Sequence, residues 1–342
     1  MAQDDISFTV YKGDKSGAIH SATTTKPALS KDQVHVRVTA SGVCGTDLHY
    51  VKNSIALGHE GVGIVEAVGP DATHLKKGDR VGWGYETDAC GQCKQCLTGT
   101  ETYCPERKLY GYANTDVGSF ASAAVLREAF LYKLPDDMSD AVAAPLMCGG
   151  ATVFEALHGH PARSTDRVGI VGVGGLGHLA IQFAAKMGCE VVVFSGSDSK
   201  RDEATRLGAK EFHALKDEKD LSKTTAPVNR LLVTSSALPD WKQLLPVLAP
   251  GAQIFPLSVD MGDFRFPYLP LLQNGIRVQG SLVAPRHVVR DMLDFAARHK
   301  IEPVIMEFGL DERGIEKALK TLTDGEMRYR GVLVPGKKGE KL

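Results

Sequence analysis

Seven cysteines stand out in this 342-residue chain. Four of them, Cys90, Cys93, Cys96 and Cys104, lie at spacings of three, three and eight within a loop rich in glycine, glutamine and lysine. Four thiolates at short range close a tetrahedral cage around Zn²⁺, an ion with no geometric preference of its own and an affinity for sulfur. The alternative is four free or disulfide-bonded thiols, but clustered reduced thiols are reactive unless a metal holds them. A closed four-sulfur cage leaves no position open for a substrate. This first zinc site is therefore expected to hold a loop in shape.

Three further residues form a second candidate set: Cys44 in Gly42-Val43-Cys44-Gly45-Thr46-Asp47, His59 in Gly58-His59-Glu60, and Cys148 in Pro145-Leu146-Met147-Cys148. Two thiolates and one imidazole would leave the fourth position of a second zinc free for chemistry. Singly, each has a plainer reading, since a cysteine after an apolar strand is usually a small core residue and a histidine beside a glutamate a satisfied pair. A ligating histidine needs its other ring nitrogen held, and Asp47 suits that task for His59, with Glu60 lying behind the ligands. Thr46 and His49 offer a hydroxyl and an imidazole able to pass a proton between a reacting oxygen and water. Thr46 and Asp47 could instead cap a helix beginning near Leu48. Cys189, without partners in sequence, reads as a core residue.

A third constellation is Gly172-Val173-Gly174-Gly175-Leu176-Gly177, which follows the apolar run Val168 to Val171 and opens a helix expected over His178 to Met187. Gly-x-Gly-x-x-Gly alone is weak, but here it stands in the strand, turn and helix context that dinucleotide binding requires. Gly172 permits the tight turn, Gly174 lets a pyrophosphate approach the backbone, Gly177 lets the helix pack on the strand, and the helix N-terminus faces the phosphates. About twenty residues on, where an acid would bind the ribose hydroxyls of NAD, the chain has Ser195, followed by Gly196, Ser197, Asp198, Ser199, Lys200 and Arg201. Hydroxyls and cations there suit a 2′-phosphate, which points to NADP. The competing assignment puts Lys200 and Arg201 on a solvated helix face, with Asp198 reaching back to the ribose of NAD.

These groups need two scaffolds to position them. The length exceeds what one hydrophobic core usually serves, and 24% charged against 43% hydrophobic residues is the balance of a globular protein. The first part reads as short strands between glycines and prolines, with Val34 to Val38 alternating at period two and Gly61 to Val68 and Arg80 to Gly84 as short apolar stretches. That pattern predicts an irregular, barrel-like β domain over 1–150. From Ala151, a helix to His158 leads into strand-like runs at Val168 to Gly172, Glu190 to Phe194, Arg230 to Thr234, Ala252 to Leu257 and Ile276 to Gly280, alternating with helix-like segments. Alternation of this kind predicts an α/β domain with a doubly wound parallel sheet over 151–284. The stretch 285–342 holds two amphipathic helices and a strand at Gly331 to Val334, and is expected to return to the first domain.

A formal net charge of −1 with interspersed signs gives no field for nucleic acid or an anionic membrane, so the partner expected is a small molecule. The apolar run Val168 to Ala185 contains five glycines and His178, and so reads as a buried strand and helix rather than a membrane span. Met1 to Asp5 lacks the basic and apolar stretches of a secretory leader, and a cytoplasmic location is expected. The C-terminal Glu340-Lys341-Leu342 has an acid where a peroxisomal address has a small residue, and reads as a solvated tail.

Taken together, these segments resemble the zinc-containing medium-chain dehydrogenase/reductase superfamily, especially its NADP-dependent branch similar to cinnamyl alcohol dehydrogenases. The likeness covers nearly the whole chain. It rests on Gly58-His59-Glu60, the Cys90 to Cys104 loop, Pro145-Leu146-Met147-Cys148 with Thr152 after it, Ser195 to Arg201, Gly280-Ser281-Leu282-Val283 and Arg328-Tyr329-Arg330. The resemblance implies a GroES-like catalytic domain joined to a Rossmann cofactor domain. It also implies two zincs per chain, a catalytic one on Cys44, His59 and Cys148, which is the open ligand set of alcohol dehydrogenases, and a structural one on the four-cysteine loop. Thr46 and His49 would relay protons, Ser195 and Lys200 would bind the 2′-phosphate, and Thr152 and Ser281 would lie near the cofactor. A homodimer is implied, with Ile276 to Val283 as the segment pairing between subunits.

Two departures bear on the substrate. Gly45 replaces the basic residue often found after the first zinc cysteine, and the segment from Asp47 to Gly58 is short for this branch. The reading that follows is NADPH-dependent reduction of aldehydes, reversible on primary alcohols. Its competitors are an NAD-dependent polyol or secondary-alcohol dehydrogenase, which Gly45 favours and Ser195 disfavours; reduction of an imine or activated alkene, which the intact Thr46 and His49 disfavour; and a retired dehydrogenase that only binds.

Overall fold

Alternation at period two builds the sheet that carries the first ligands. In the strand Gln33–Val43, Val34, Val36, Val38 and Ala40 turn inward while His35, Arg37 and Thr39 do not, and the last residues, Ser41 to Val43, are buried on both faces. Each fully buried valine or leucine of this kind contributes about 1.5–3 kcal/mol. The computed structural model describes residues 5–336 apart from 114, 219 and 261; the Glu340-Lys341-Leu342 tail and Met1 to Asp4 lie outside the described residues.

The chain divides into two compact units, one formed by Met1–Cys148, Pro285–Ala297 and Pro303–Leu342, the other by Gly149–Ala284 and Arg298–Glu302. The first holds a seven-stranded mixed sheet in the order Ile305–Gly309, Arg330–Val334, Gln33–Val43, Gly61–Val68, Arg80–Trp83 and Tyr132–Lys133, with Ala123–Arg127 also pairing with Gln33–Val43. The hairpin Ile6–Gly13 with Ile19–Lys26 stands apart from that sheet. Val34, Val36, Trp83, Phe120 and Leu333 lie in its core. The late strand meets the early one in antiparallel register, with Gly331 opposite Val43 and Leu333 opposite Ser41. The two long helices after residue 284 are amphipathic. Val288, Val289, Met292, Leu293 and Ala296 form the buried stripe of Arg286–His299, and Glu312–Thr323 is capped by Asp311, whose carboxylate accepts the Gly314 N–H at 2.7 Å.

The second unit is a six-stranded sheet in the order Glu211–Ala214, Glu190–Ser195, Arg167–Val171, Val228–Val233, Leu248–Pro256, Arg277–Val278, with every pair parallel. The central strands are apolar runs without alternation, as expected of strands covered on both faces. This is the doubly wound dinucleotide-binding order, which reverses direction beside the glycine-rich turn.

The fold class is thus α/β, a GroES-like β unit with a Rossmann-type unit. The helix after Cys44 begins at Gly45 rather than near Leu48, because Cys44 is its N-cap. The last strand of the parallel sheet is narrower than Ile276 to Gly280. Only Arg277 and Val278 pair, with Gln253 and Ile254, and the chain leaves the sheet before Gly280. One helical stretch, Asp140–His158, is long and apolar enough to cross a membrane, and 78% of that window is buried inside the protein.

Candidate active site

Two groups of ligand-bearing side chains converge in the first unit. The ligand atoms of Cys44, His59, Glu60 and Cys148 lie within 4.8 Å of one another, as do the sulfurs of Cys90, Cys93, Cys96 and Cys104. All seven cysteines are free thiols.

Different local devices bring the first group together. Cys44 follows the strand Gln33–Val43 and caps the short helix Gly45–Tyr50. His59 follows Gly58, whose φ of +90° turns the chain at a point where a Cβ would meet Phe120 and Ser119 at about 2.5 Å. Cys148 sits in a widened helical turn, Leu146–Gly150, between Asp140–Pro145 and Ala151–His158. Such π-type turns redirect side chains that a regular helix would keep in register.

Asp47 joins the parts. One carboxylate oxygen accepts from the Cys44 backbone N–H at 2.9 Å and the other lies 2.9 Å from His59 Nδ1. The capping role and the histidine-orienting role are therefore filled by the same side chain. A carboxylate only accepts, so Nδ1 carries the proton and Nε2 presents its lone pair. Nε2 is buried and has no hydrogen-bond partner among the described residues. An orphaned imidazole nitrogen beside two thiols fits a soft divalent cation such as Zn²⁺.

The electrostatics of this group are strongly coupled. Hydrogen bonding with Cys148 holds the Cys44 thiol well below its ordinary range, with His59 helping, and the same contact together with burial pushes Cys148 well above it. Burial opposes charge on His59, but the Asp47 carboxylate overrides it and keeps the ring basic. Burial lifts the Glu60 carboxyl to about 7 against the pull of Arg330. Glu60 Oε1 is paired with the Arg330 guanidinium, and Oε2 is buried without a partner among the described residues. Thr46 Oγ1 lies 3.7 Å from Cys44 Sγ, while His49, one turn along the same helix, is exposed.

In the four-cysteine loop, Cys93 caps the helix Lys94–Leu97, and its backbone N–H donates to Cys90 Sγ at 3.3 Å. The Glu106 N–H points at Cys104 Sγ at 3.4 Å. The Gln92 and Cys93 N–H groups stabilise the Cys90 thiolate and lower that thiol to about 7; burial and the neighbouring thiols push Cys96 up to about 12. Four sulfurs at mutual distances such as 3.6 and 3.9 Å match the donor set of a closed zinc cage.

In the second unit, the turn after Arg167–Val171 has Gly172 at φ +90° and open space beside Gly174, and a Cβ on Gly177 would strike the Gly172 carbonyl at 2.0 Å. Gly175 and Leu176 complete the turn, Leu176 capping the helix Gly177–Lys186. Ser195 ends its strand, nearly buried, with open space beside Gly196 and an exposed Ser197 whose hydroxyl lies 3.0 Å from that of Ser199. Lys200 Nζ donates to the Val173 carbonyl at 2.6 Å, placing its charge beside the glycine turn. Arg201 points elsewhere, to Asp198 and the Phe212 carbonyl. Thr152 is buried in its helix, and Ser281 Oγ is buried without a partner among the described residues.

The sequence reading missed the aromatic packing around His59. Tyr110 stacks on its ring at 4.9 Å and accepts the Gly58 N–H at 3.0 Å, and Tyr85 meets it edge-on at 5.6 Å. No local motif announces either tyrosine. Arg330 entered the sequence reading only through a likeness over three residues, without its ion-pair role.

Residues 30–136 match the family model described as the alcohol dehydrogenase GroES-like domain, and residues 175–298 that described as zinc-binding dehydrogenase. Cinnamyl alcohol dehydrogenase 8 of Arabidopsis thaliana is 32% identical over 340 residues, covering 95% of this chain and 94% of that protein. A probable formaldehyde dehydrogenase of Bacillus subtilis is 33% identical over 324 residues, 91% of this chain and 92% of its own. Among solved structures, a cinnamyl alcohol dehydrogenase from Sorghum bicolor superposes with a TM-score of 0.90 at 32% identity, covering 98% of this chain and all of that one.

Proposed function

We propose that this chain, which belongs to the zinc-binding alcohol dehydrogenases of the medium-chain dehydrogenase/reductase superfamily, interconverts aldehydes and primary alcohols with NADP(H). The observation that carries the reading is His59, held by Asp47 through Nδ1 and presenting a buried, unpartnered Nε2 beside Cys44 and Cys148. We assign a catalytic zinc to Cys44, His59 and Cys148 and a structural zinc to Cys90, Cys93, Cys96 and Cys104.

Bound zinc supplies a Lewis acid for the substrate oxygen, and the nicotinamide supplies or accepts hydride. The chain's own residues do the rest. Asp47 fixes the tautomer and orientation of His59, and the Arg330–Glu60 pair sets the field behind the ligands. The Thr46 hydroxyl, beside Cys44, holds the proton of the reacting oxygen, and exposed His49 exchanges it with water. Ser195 and Lys200 favour a cofactor carrying a 2′-phosphate, which an acid at the strand end would repel.

A second reading, NAD-dependent oxidation of a polyol, draws on Gly45. A Cβ there would meet nothing within 4 Å, so the missing basic side chain is not a matter of room. Free cysteines throughout suit a reducing compartment such as the cytoplasm. Val278 is exposed on the edge strand Arg277–Val278, and Tyr268, Leu269 and Leu272 are exposed on the helix Tyr268–Gln273 that precedes it in sequence; we place a homodimer contact on this segment.

The test is the initial rate of NADPH and NADH oxidation with aldehydes from formaldehyde to cinnamaldehyde, and of NADP⁺ and NAD⁺ reduction with polyols, each with and without a zinc chelator. Chelator-sensitive aldehyde reduction preferring NADPH is the expected result. Turnover confined to polyols and NAD⁺ would replace it with the second reading.

A further inference from the structure

Four consecutive carbonyls of the glycine-rich turn are each bonded by a side chain. The Thr234 hydroxyl shares its proton between the carbonyls of Val171 at 2.8 Å and Gly172 at 3.0 Å. Lys200 Nζ holds that of Val173, and His178 Nδ1 lies 2.9 Å from that of Gly174. The donors come from three places: the residue after the strand Val228–Val233, the start of the helix after Ser195, and the first turn of Gly177–Lys186. His178 is fully buried and Thr234 nearly so, which makes each bond worth more than it would be in water.

We infer that His178 and Thr234 are positioning residues of the cofactor loop, which lock its peptide planes so that its N–H groups face the pyrophosphate. The inference rests on the nucleotide-site reading. In a trans peptide, the carbonyl of one residue and the N–H of the next point in opposite directions. Fixing the carbonyls of Gly172, Val173 and Gly174 toward the protein therefore fixes the N–H groups of Val173, Gly174 and Gly175 away from it. Among the described residues, none of those three N–H groups donates to another protein group. The space beside Gly174 is open. Three unspent N–H groups held in one direction at a helix N-terminus form an anion-binding concavity. Because a carbonyl only accepts, His178 must hold its proton on Nδ1. An amide nitrogen can take that place, but an aliphatic side chain of similar volume cannot.

The experiment titrates the zinc-loaded enzyme with NADPH and with NADH, reading nicotinamide fluorescence, for the wild type, H178L, H178N, T234V and T234S. H178L and T234V are expected to bind both dinucleotides about tenfold more weakly, since the pyrophosphate is common to them. H178N and T234S should stay within about threefold of the wild type, and kcat at saturating cofactor within about twofold. Wild-type affinity in H178L and T234V, or equal loss in the conservative and disruptive variants, overturns the inference. Should H178L not fold, T234V against T234S decides by the same criterion. A wild-type enzyme that binds neither dinucleotide overturns the nucleotide reading, and the inference with it.

Discussion

Replacing Glu86 with glutamine should change how the first unit's stability depends on pH. Glu86 begins the short strand Glu86–Asp88, is 4% exposed, and neither carboxylate oxygen has a partner among the described residues. Burial first, and then the Glu101 carboxylate, raise its carboxyl from an ordinary 4.5 to about 8, against the opposing pull of Arg286 and Arg107. The folded state thus keeps a proton that the unfolded chain gives up. Between those two values, stability falls as pH rises, by about 1.4 kcal/mol per unit, and levels off above the upper one. Glutamine matches the protonated acid in shape and does not titrate. The same linkage, taken at full strength, makes E86Q more stable than the wild type by about 1 kcal/mol at pH 5, about 3 at pH 7 and about 5 at pH 9, with relaxation reducing each. The assay is urea unfolding at these three pH values. Trp83 and Trp241 are the only two tryptophans, one in each unit, so a W241F background leaves Trp83 to report on the first unit alone. Parallel pH profiles for E86Q and the wild type would refute the reasoning.

Cys148→Ala should remove one of the two proposed zincs per chain, measured by mass spectrometry, and with it turnover; retained activity would sink the ligand assignment. Asp47→Asn should weaken the catalytic zinc about 10- to 100-fold in chelator competition, because asparagine holds His59 Nδ1 without charge; an unchanged zinc affinity would count against the orienting role. Ser195→Asp should move the ratio of kcat/KM toward NADH by repelling the 2′-phosphate, and an unchanged ratio would overturn the cofactor assignment. Leu272→Arg with Val278→Lys should give monomer in sedimentation where the wild type gives dimer, and a dimer in both would place the contact elsewhere.

The glycine turn and the cysteine loop were legible because their chemistry is local. Cys90 to Cys104 must close on one ion, and Gly172 to Gly177 must fit one turn, so spacing carries the information. The central strands were legible because burial on both faces leaves apolar runs. The hairpin Ile6–Gly13 with Ile19–Lys26 was not, since a half-exposed pair rich in Ser and Thr has no strong period. The edge strand Glu211–Ala214 was missed for its four-residue length. Of the site, Asp47 as the partner of His59 followed from the need of a ligating imidazole to have its other ring nitrogen held, and the contact is present. Tyr110, 51 residues beyond His59, and Arg330, 270 beyond Glu60, come close only through the tertiary fold, which short-range patterns do not encode.

The path of the chain also sets an order for biosynthesis. The strand Arg330–Val334 braces the residues just before Cys44, and Arg330 pairs with Glu60. On a ribosome adding residues from the N-terminus, Cys44, His59 and Cys148 emerge long before that brace exists. The inserted unit, Gly149–Ala284 with Arg298–Glu302, is nearly complete first, with its own apolar core. Nascent chains therefore carry a nearly finished parallel-sheet unit while Cys44 and Glu60 still lack the strand that braces them. A chain cut short before Arg330 keeps the parallel sheet and lacks the strand that pairs beside Cys44 and the cation that pairs with Glu60.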